Sequence, residues 1–267
     1  MKSLENLIKE VLHIVKEAGE YLLSVLSSEI KVYKKLEIEV FTEADKKCEQ
    51  ILTEKLKKLL PEATIVGEEE FSEKSIIPKG VYWLVDPIDG TVNFIHRMPW
   101  FAISVALMQE KEPILGVVYN PVTKEMFYAT KGRGAYLNGS QIRVSEEKEI
   151  ENSLLATSFP GECKKKGFDR CYELFKELNL VSQGVRRFGS AALDLAYVAC
   201  GRFDGFWEPY LKPWDTAAGM LLVLEAGGKV TDYLGEKYHP FKNNIVASNS
   251  LIHEKLISYT SKYINLL

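Results

Sequence analysis

The chain begins with two long amphipathic patterns and then changes to a run of short apolar segments, and this succession restricts the fold more than any other feature. Apolar residues recur every three or four positions over residues 3–27, which predicts a helix. A second helix is predicted from near Thr42 to about Leu60, with Thr42 as its N-cap, Asp45 as the acid of a capping box and Pro61 as its stop.

Residues 63–142 have the pattern of strands separated by turns. The strand candidates are ATIVGEEE, VYWLVD, FAISVALM, PILGVVYN and EMFYAT. Asn138-Gly139 is a hairpin signal. Helices followed by an antiparallel run predict an α+β first half.

The second half alternates between strand and helix patterns. Strands are predicted at SLLATSF, GVRRFG, FDGFWE and NNIVASN, and helices at FDRCYELFKELN, SAALDLAYVACG, WDTAAGMLLVLEAGG and the C-terminus. This alternation predicts an α/β half. The charged run SEEKEIEN, residues 145–152, is the best candidate for a boundary, so we expect an N-terminal part of 1–146 and a C-terminal part of 147–267.

Composition narrows the class of protein. A net charge of −3 over 267 residues gives no global electrostatic case for nucleic-acid binding. The cysteines are Cys48, Cys163, Cys171 and Cys200; without a CxxC pair or a zinc spacing, they predict reduced thiols in a cytoplasmic protein. The N-terminus lacks the apolar core of a signal peptide, and no window reaches the roughly 18 apolar residues of a membrane span.

Carboxylates stand where predicted strands end or helices begin. Glu68 follows the apolar stretch TIV, Asp86 follows WLV with Asp89 one short turn later, and Asp215 opens an apolar helix. Mg²⁺ is often held by one or two carboxylates together with water and substrate phosphate. Gly90 permits close backbone approach, and the N–H groups of Gly90 and Thr91 would form an anion site at the start of a short helix. Carboxylates beside such N–H groups indicate a phosphate ester as ligand.

Each of these signals has an ordinary structural explanation. An Asp-Gly pair commonly forms a turn, and Asp215 can serve only as an N-cap. The acids of GEEE and the lysines Lys34 and Lys35 can be solvated surface charges. The combination, rather than any one motif, favours a metal-assisted phosphatase.

Two longer motifs resemble those of the inositol monophosphatase family, which comprises lithium-sensitive, Mg²⁺-dependent phosphatases. WLVDPIDGTVNF, residues 83–94, matches the family pattern W-x-x-D-P-x-D-G-T-x-N-F, and PWDTAAGMLLVLEAGG matches its W-D-x-A-A-G…E-A-G-G. VFTEAD and VGEEE match its upstream elements in the same order, and FGSAALDLAYVACGRFDGFWE resembles bacterial-type members. The resemblance extends from about residue 4 to residue 250.

The resemblance implies a role for each matching residue. Glu68, Asp86 and the Ile88 carbonyl would hold one Mg²⁺, and Asp86, Asp89 and Asp215 a second, with a third, weaker ion on Glu68. Glu68 and Thr91 would position and deprotonate the attacking water. The Gly90 and Thr91 amides would hold the phosphate, and Glu208, Ala191 and Asp89 would meet substrate hydroxyls. Lys34, favoured over Lys35 by an ungapped count, and Asp45 would belong to an outer network.

The implied fold is the layered α-β-α-β-α arrangement of sugar phosphatases, in which α+β and α/β parts meet at the site. The implied activity is hydrolysis of myo-inositol monophosphate by a cytoplasmic homodimer with a small phosphate ester as its ligand and no membrane partner. Fructose-1,6-bisphosphatase activity, alone or as a second activity, remains open, because the exposed-looking Arg186-Arg187 pair could meet a second phosphate. A non-catalytic role in a transcription complex is the alternative from a different class.

Overall fold

The structure is a computed structural model that describes residues 4–27, 30–34, 40–69, 78–166 and 168–266. Its helices are α1 (Leu4–Leu26), α2 (Glu43–Leu59), α3 (Thr91–Ile95), α4 (Gly161–Lys166), α5 (Phe168–Val181), α6 (Ala191–Ala199), α7 (Pro213–Glu225) and α8 (His253–Thr260). Its strands are β1 (Val32–Lys34), β2 (Val40–Thr42), β3 (Thr64–Gly67), β4 (Val81–Asp89), β5 (Ala102–Gln109), β6 (Glu112–Asn120), β7 (Glu125–Thr130), β8 (Ala135–Leu137), β9 (Ser140–Ile142), β10 (Leu154–Thr157), β11 (Gly184–Arg186), β12 (Gly205–Pro209), β13 (Lys229–Thr231) and β14 (Asn244–Ser248).

Two large sheets organise these strands. The first has seven strands in the order β3-β4-β5-β6-β7-β8-β9, and every neighbouring pair is antiparallel except β3 with β4. The second has five strands in the order β11-β10-β12-β14-β13, in which β10 pairs in parallel with β11 and β12. Strands β12, β14 and β13 pair antiparallel, so the second sheet is mixed rather than wholly parallel.

The alternation of side chains along the strands assigns each sheet face to a different core. In β4, Trp83 and Val85 pack with α1 and α2, whereas Tyr82 and Leu84 pack with α6 and α7. In β12, Phe206 packs in the same core as α6 and α7, whereas the next residue, Trp207, packs with α5 and α8. Successive side chains of a strand point to opposite faces, so both sheets are covered on both sides. The result is the expected α-β-α-β-α layering.

Local chemistry explains several element boundaries. The Thr42 hydroxyl accepts a hydrogen bond from the Ala44 amide at 3.1 Å, and the Asp45 carboxylate accepts one from the Thr42 amide at 2.7 Å, which confirms the predicted capping box of α2. Asn138 and Gly139 both have positive φ, 49° and 89°, as the predicted two-residue hairpin between β8 and β9 requires.

The structure differs from the sequence predictions at several points. Strand β4 does not end at Asp86 but continues to Asp89, with a shift of register against β5 between these residues. The short strands β1, β2 and β13 and helix α4 were not predicted, because a segment of three to six residues carries little periodicity. The prediction of reduced thiols is wrong for Cys163 and Cys171, which are joined by a disulfide between α4 and α5; Cys48 and Cys200 are free.

No helix within the described residues has the length and apolar character needed to span a membrane.

Candidate active site

Strands β3 and β4 bring the first two acids side by side. Gly67, the last residue of β3, is in register with Val85, and the Glu68 amide donates to the Val85 carbonyl at 3.1 Å. Glu68 therefore follows β3 next to Asp86 in the parallel neighbour. The carboxyl ends of parallel neighbouring strands lie at the same edge of a sheet, so two acids that are separated in the sequence lie close together here.

Asp86 lies at the centre of a group of carboxylates. Its side chain is only 2% exposed, and its Oδ1 accepts a hydrogen bond from the Ile88 amide at 2.9 Å. Burial raises the pKa of Asp86 well above its usual value, and the carboxylates of Glu68, Asp89 and Asp215 raise it further. The structure therefore brings together the four acids that the sequence singled out.

Asp89 is held by the beginning of α6. Its Oδ2 accepts hydrogen bonds from the Ser190 hydroxyl at 2.6 Å and from the Ala192 amide at 2.7 Å, and the Ala191 amide faces the same carboxylate. Burial raises the pKa of Asp89 to about 6, although these hydrogen bonds oppose the rise. A helix N-terminus suits a carboxylate because its first amides have no partner within the helix.

The turn after β4 places Thr91 next to the acids. Gly90 has φ 98°, in the left-handed region, and Thr91 begins α3. The Thr91 hydroxyl lies 3.1 Å from the Ile88 carbonyl and 3.2 Å from Asp45 Oδ1, and it donates to one of them at a time. Burial raises the pKa of Asp45 to about 6. Asp45, proposed from sequence as an outer residue, thus bonds to Thr91 as well as capping α2.

Asp215 enters the site from the first turn of α7. Its Oδ2 accepts a hydrogen bond from the Lys212 amide at 2.7 Å, so it caps this helix as well as facing Asp86. The Ser104 hydroxyl donates to the Trp214 carbonyl at 2.9 Å, which ties the start of α7 to β5. The sequence offered an N-cap as the alternative explanation for this acid, and that alternative is wrong, because the N-cap of α7 is Lys212 and Asp215 is the third residue of the helix.

Glu208 and an acid that the sequence analysis missed, Asp194, lie on the α6 side of the group. Both are buried, with 3% and 0% exposure, and Glu208 Oε2 has no hydrogen-bond partner among the described residues. Burial raises the pKa of Asp194, and the Trp100 indole beside its carboxylate opposes that rise. Burial raises the pKa of Glu208, as do Asp194, Asp89 and Asp215, whereas Arg187 lowers it. The only sequence signal for Asp194 was an acid inside an apolar helix.

The sequence offered two lysines for the outer network. Lys34 is the last residue of β1, and Lys35 lies outside the described residues. Asp89 is near enough to Glu208 for its charge to raise the pKa of Glu208, and the Ala191 amide faces Asp89.

The donor chemistry of the group fits a hard divalent cation. Its members offer carboxylate oxygens and the Ile88 carbonyl, and burial first and neighbouring negative charges second raise the pKa of Asp86. Over the described parts of the chain, no three acidic, histidine or cysteine side chains are close enough to form a metal-binding group by themselves. Mg²⁺ does not require such a cage, since water and substrate phosphate commonly complete its ligands.

Comparison with known proteins gives concordant matches. The family model described as the inositol monophosphatase family matches residues 3–265. The chain is 43% identical to the inositol-1-monophosphatase of Caulobacter vibrioides over 86% of this chain and 90% of the relative, and 40% identical to Nus factor SuhB of Pseudomonas aeruginosa over 96% of each. The solved inositol monophosphatase structure from Anabaena superposes with a TM-score of 0.87 at 36% identity, over 98% of this chain and 97% of the other.

Proposed function

Because the chain belongs to the inositol monophosphatase family, a family of phosphoric monoester hydrolases, we propose that its acidic site hydrolyses myo-inositol monophosphate to inositol and phosphate. The observation that carries this proposal is the approach of Glu68, Asp89 and Asp215 to the buried Asp86, beside Thr91 and the Gly90 turn. Several carboxylates gathered around one buried aspartate suit a reaction that brings cations and a phosphate dianion together.

The acids would bind Mg²⁺ at two positions. Glu68, Asp86 and the Ile88 carbonyl would form the first, Asp86, Asp89 and Asp215 the second, and a third, weaker ion would use Glu68. The Ile88 carbonyl has two lone pairs, so it can accept the Thr91 hydroxyl and still bind a metal ion. When bound, Mg²⁺ supplies Lewis acidity: it neutralises charge on the phosphate and makes water more acidic.

Thr91 and Glu68 would handle the attacking water. The Thr91 oxygen can accept a hydrogen bond from water while its own proton points to Asp45 or Ile88. Glu68, half-buried at the end of β3, would take the proton as the water attacks phosphorus. The Gly90 and Thr91 amides would hold the phosphate oxygens, because their N–H groups start α3.

The leaving alcohol would face the α6 side of the site. Glu208 would accept hydrogen bonds from the hydroxyl groups of the polyol, together with Asp89 and the backbone of Ala191. A buried carboxylate with an unpartnered oxygen gains most from such donors, since its desolvation is then compensated.

The protein would act as a cytoplasmic homodimer, which rests on the family resemblance alone, because the Cys163–Cys171 disulfide removes the support that four reduced thiols would have given. The apolar side chains of Val92, Met98 and Phe188 are exposed by 59%, 50% and 37%, and side chains of this kind would supply the contact between subunits. Residues 1–146 and 147–267 would be its two parts.

A binding role is the second candidate. The 40% identical relative from Pseudomonas aeruginosa is named a Nus factor, and a non-catalytic role in a transcription complex would follow if the site were idle.

Fructose-1,6-bisphosphate remains a rival substrate, because Arg187 is exposed and its charge reaches Glu208.

The test is phosphate release from inositol 1-phosphate, fructose 1,6-bisphosphate, histidinol phosphate and phosphoadenosine phosphate at saturating Mg²⁺, each with and without EDTA and Li⁺. A dominant rate on inositol 1-phosphate that EDTA abolishes and Li⁺ inhibits would support the proposal. A folded protein without turnover on any of the four would contradict it and favour the binding role.

A further inference from the structure

Asn93 joins two loops that are far apart in the sequence. Its side-chain amide donates to the Trp100 carbonyl at 2.7 Å and to the Phe188 carbonyl at 2.7 Å. An amide NH₂ has two hydrogens, so both are used. Asn93 therefore fastens α3 both to the loop before β5 and to the loop before α6.

The second of these loops leads directly to the groups that hold Asp89. Phe188 is followed by Gly189, with φ 82°, and then by Ser190. The Ser190 hydroxyl and the Ala192 amide, two residues later, both donate to Asp89 Oδ2. A displacement of the Phe188 carbonyl is therefore carried within two residues to the donors on this carboxylate.

The same two loops also enclose Gly90. A Cβ atom at Gly90 would lie 3.1 Å from the Gly189 carbonyl oxygen and 3.1 Å from the Trp100 carbonyl oxygen. The turn between Asp89 and Thr91 is thus packed between the two segments that Asn93 connects.

We propose that Asn93 is a positioning residue: through the Phe188–Ser190 segment it fixes the orientation of Asp89 and thereby the affinity for the metal ion that Asp89 would bind. This inference rests on the proposed function only for the identification of Asp89 as a metal ligand. Asn93 would act through this segment and not by direct contact, because the Trp100 and Phe188 carbonyls use both of its N–H groups. Loss of an outer partner of a metal ligand typically costs about 10- to 100-fold in metal affinity or activity.

The substitution Asn93→Asp tests the proposal with almost no change of shape. It replaces both N–H donors by an oxygen that the Trp100 and Phe188 carbonyls repel. The added negative charge would by itself favour cation binding, so a loss of affinity cannot be an effect of charge. We expect Mn²⁺ or Mg²⁺, titrated by calorimetry into the substrate-free protein, to bind about tenfold more weakly, the lower end of the cost of losing a direct partner of a metal ligand. Saturating metal should then partly restore kcat.

Asn138→Asp is the matched control. The Asn138 amide also donates to a backbone carbonyl, that of Lys124 at 3.1 Å, and its side chain is exposed near a hairpin remote from the acids. It should bind metal as the parent protein does. Equal metal affinity in the parent and Asn93→Asp, or equal losses in Asn93→Asp and Asn138→Asp, would overturn the inference.

A double-mutant cycle gives a second, independent result. Ser190→Ala removes one of the hydrogen bonds to Asp89. If Asn93 acts through this junction, the losses of metal affinity in Asn93→Asp and Ser190→Ala are not additive in the double variant. Additive losses would refute the route through Ser190. A parent protein that binds no metal would refute the proposed function and this inference together, whereas metal binding that depends on Asn93 without phosphatase activity would refute the proposed function alone.

Discussion

His253 should make the free energy of unfolding depend on pH. The residue is completely buried at the start of α8, with Nε2 2.9 Å from the Thr231 hydroxyl and Nδ1 2.8 Å from the Ser248 hydroxyl. Because the Thr231 hydroxyl donates to the Asp232 carbonyl, its oxygen accepts from Nε2–H, and Nδ1 accepts from Ser248. Both nitrogens of the neutral ring are therefore satisfied.

Burial lowers the pKa of His253 from 6.5 to about 4. Below pH 6.5 the unfolded chain binds a proton that the folded protein refuses until about pH 4, so stability falls as the pH falls through this window. At about 1.4 kcal/mol for each tenfold change in proton affinity, the loss amounts to about 3 kcal/mol, most of it reached by pH 4.5. Above the unfolded pKa the contribution is complete and constant.

Urea unfolding between pH 7.5 and pH 4.5 measures this effect in the parent and in His253→Gln, whose amide has similar reach and does not titrate. The parent should lose about 2–3 kcal/mol more than the variant over this range. His96→Gln, a change at an exposed histidine, is the control and should follow the parent. Parallel pH profiles for the parent and His253→Gln would refute the reasoning.

Three further substitutions test the site and the packing. Asp86→Asn should lower kcat by more than about 100-fold, beyond the effect of an outer partner, and leave the thermal unfolding temperature close to that of the parent; undiminished turnover would refute its role as a shared ligand. Glu208→Gln should raise KM for inositol 1-phosphate about tenfold with a smaller change in kcat, and an unaltered KM would separate this residue from substrate binding. Gly116→Ala would place a Cβ atom 2.9 Å from the Ala218 Cα, a backbone contact that no side-chain motion relieves. We therefore expect the free energy of unfolding in urea to fall by about 1–3 kcal/mol. Stability equal to that of the parent would show that α7 can move away from β6.

Sequence patterns were sufficient where the physical cause is local. The capping box of α2 is contained in four residues, and the Asn138-Gly139 hairpin in two. The acids could be predicted to converge because strand ends and helix starts share one edge of a layered fold.

The remaining features depend on contacts between distant segments. The bonds from Asn93 to Phe188 and from Ser190 to Asp89 connect residues about a hundred positions apart, and nothing in the local pattern of either segment encodes them. Asp194 was missed for a related reason. An acid inside an apolar helix indicates that its side chain is buried, but it does not indicate which residues of other segments lie beside it. The Cys163–Cys171 disulfide was missed because the eight-residue spacing does not reveal that α5 folds back on α4.

The order of the layers has a consequence for synthesis on the ribosome. The last strand of the first sheet ends at Ile142, but the helices that cover one of its faces, α6 and α7, end only at Ala199 and Glu225. A nascent chain that has emerged as far as β9 therefore presents Tyr82, Leu84 and Met108 to water with no helix to cover them. Folding from the N-terminus therefore cannot bury this face of the first sheet until α7 has been translated, and exposed apolar surface of this kind favours aggregation.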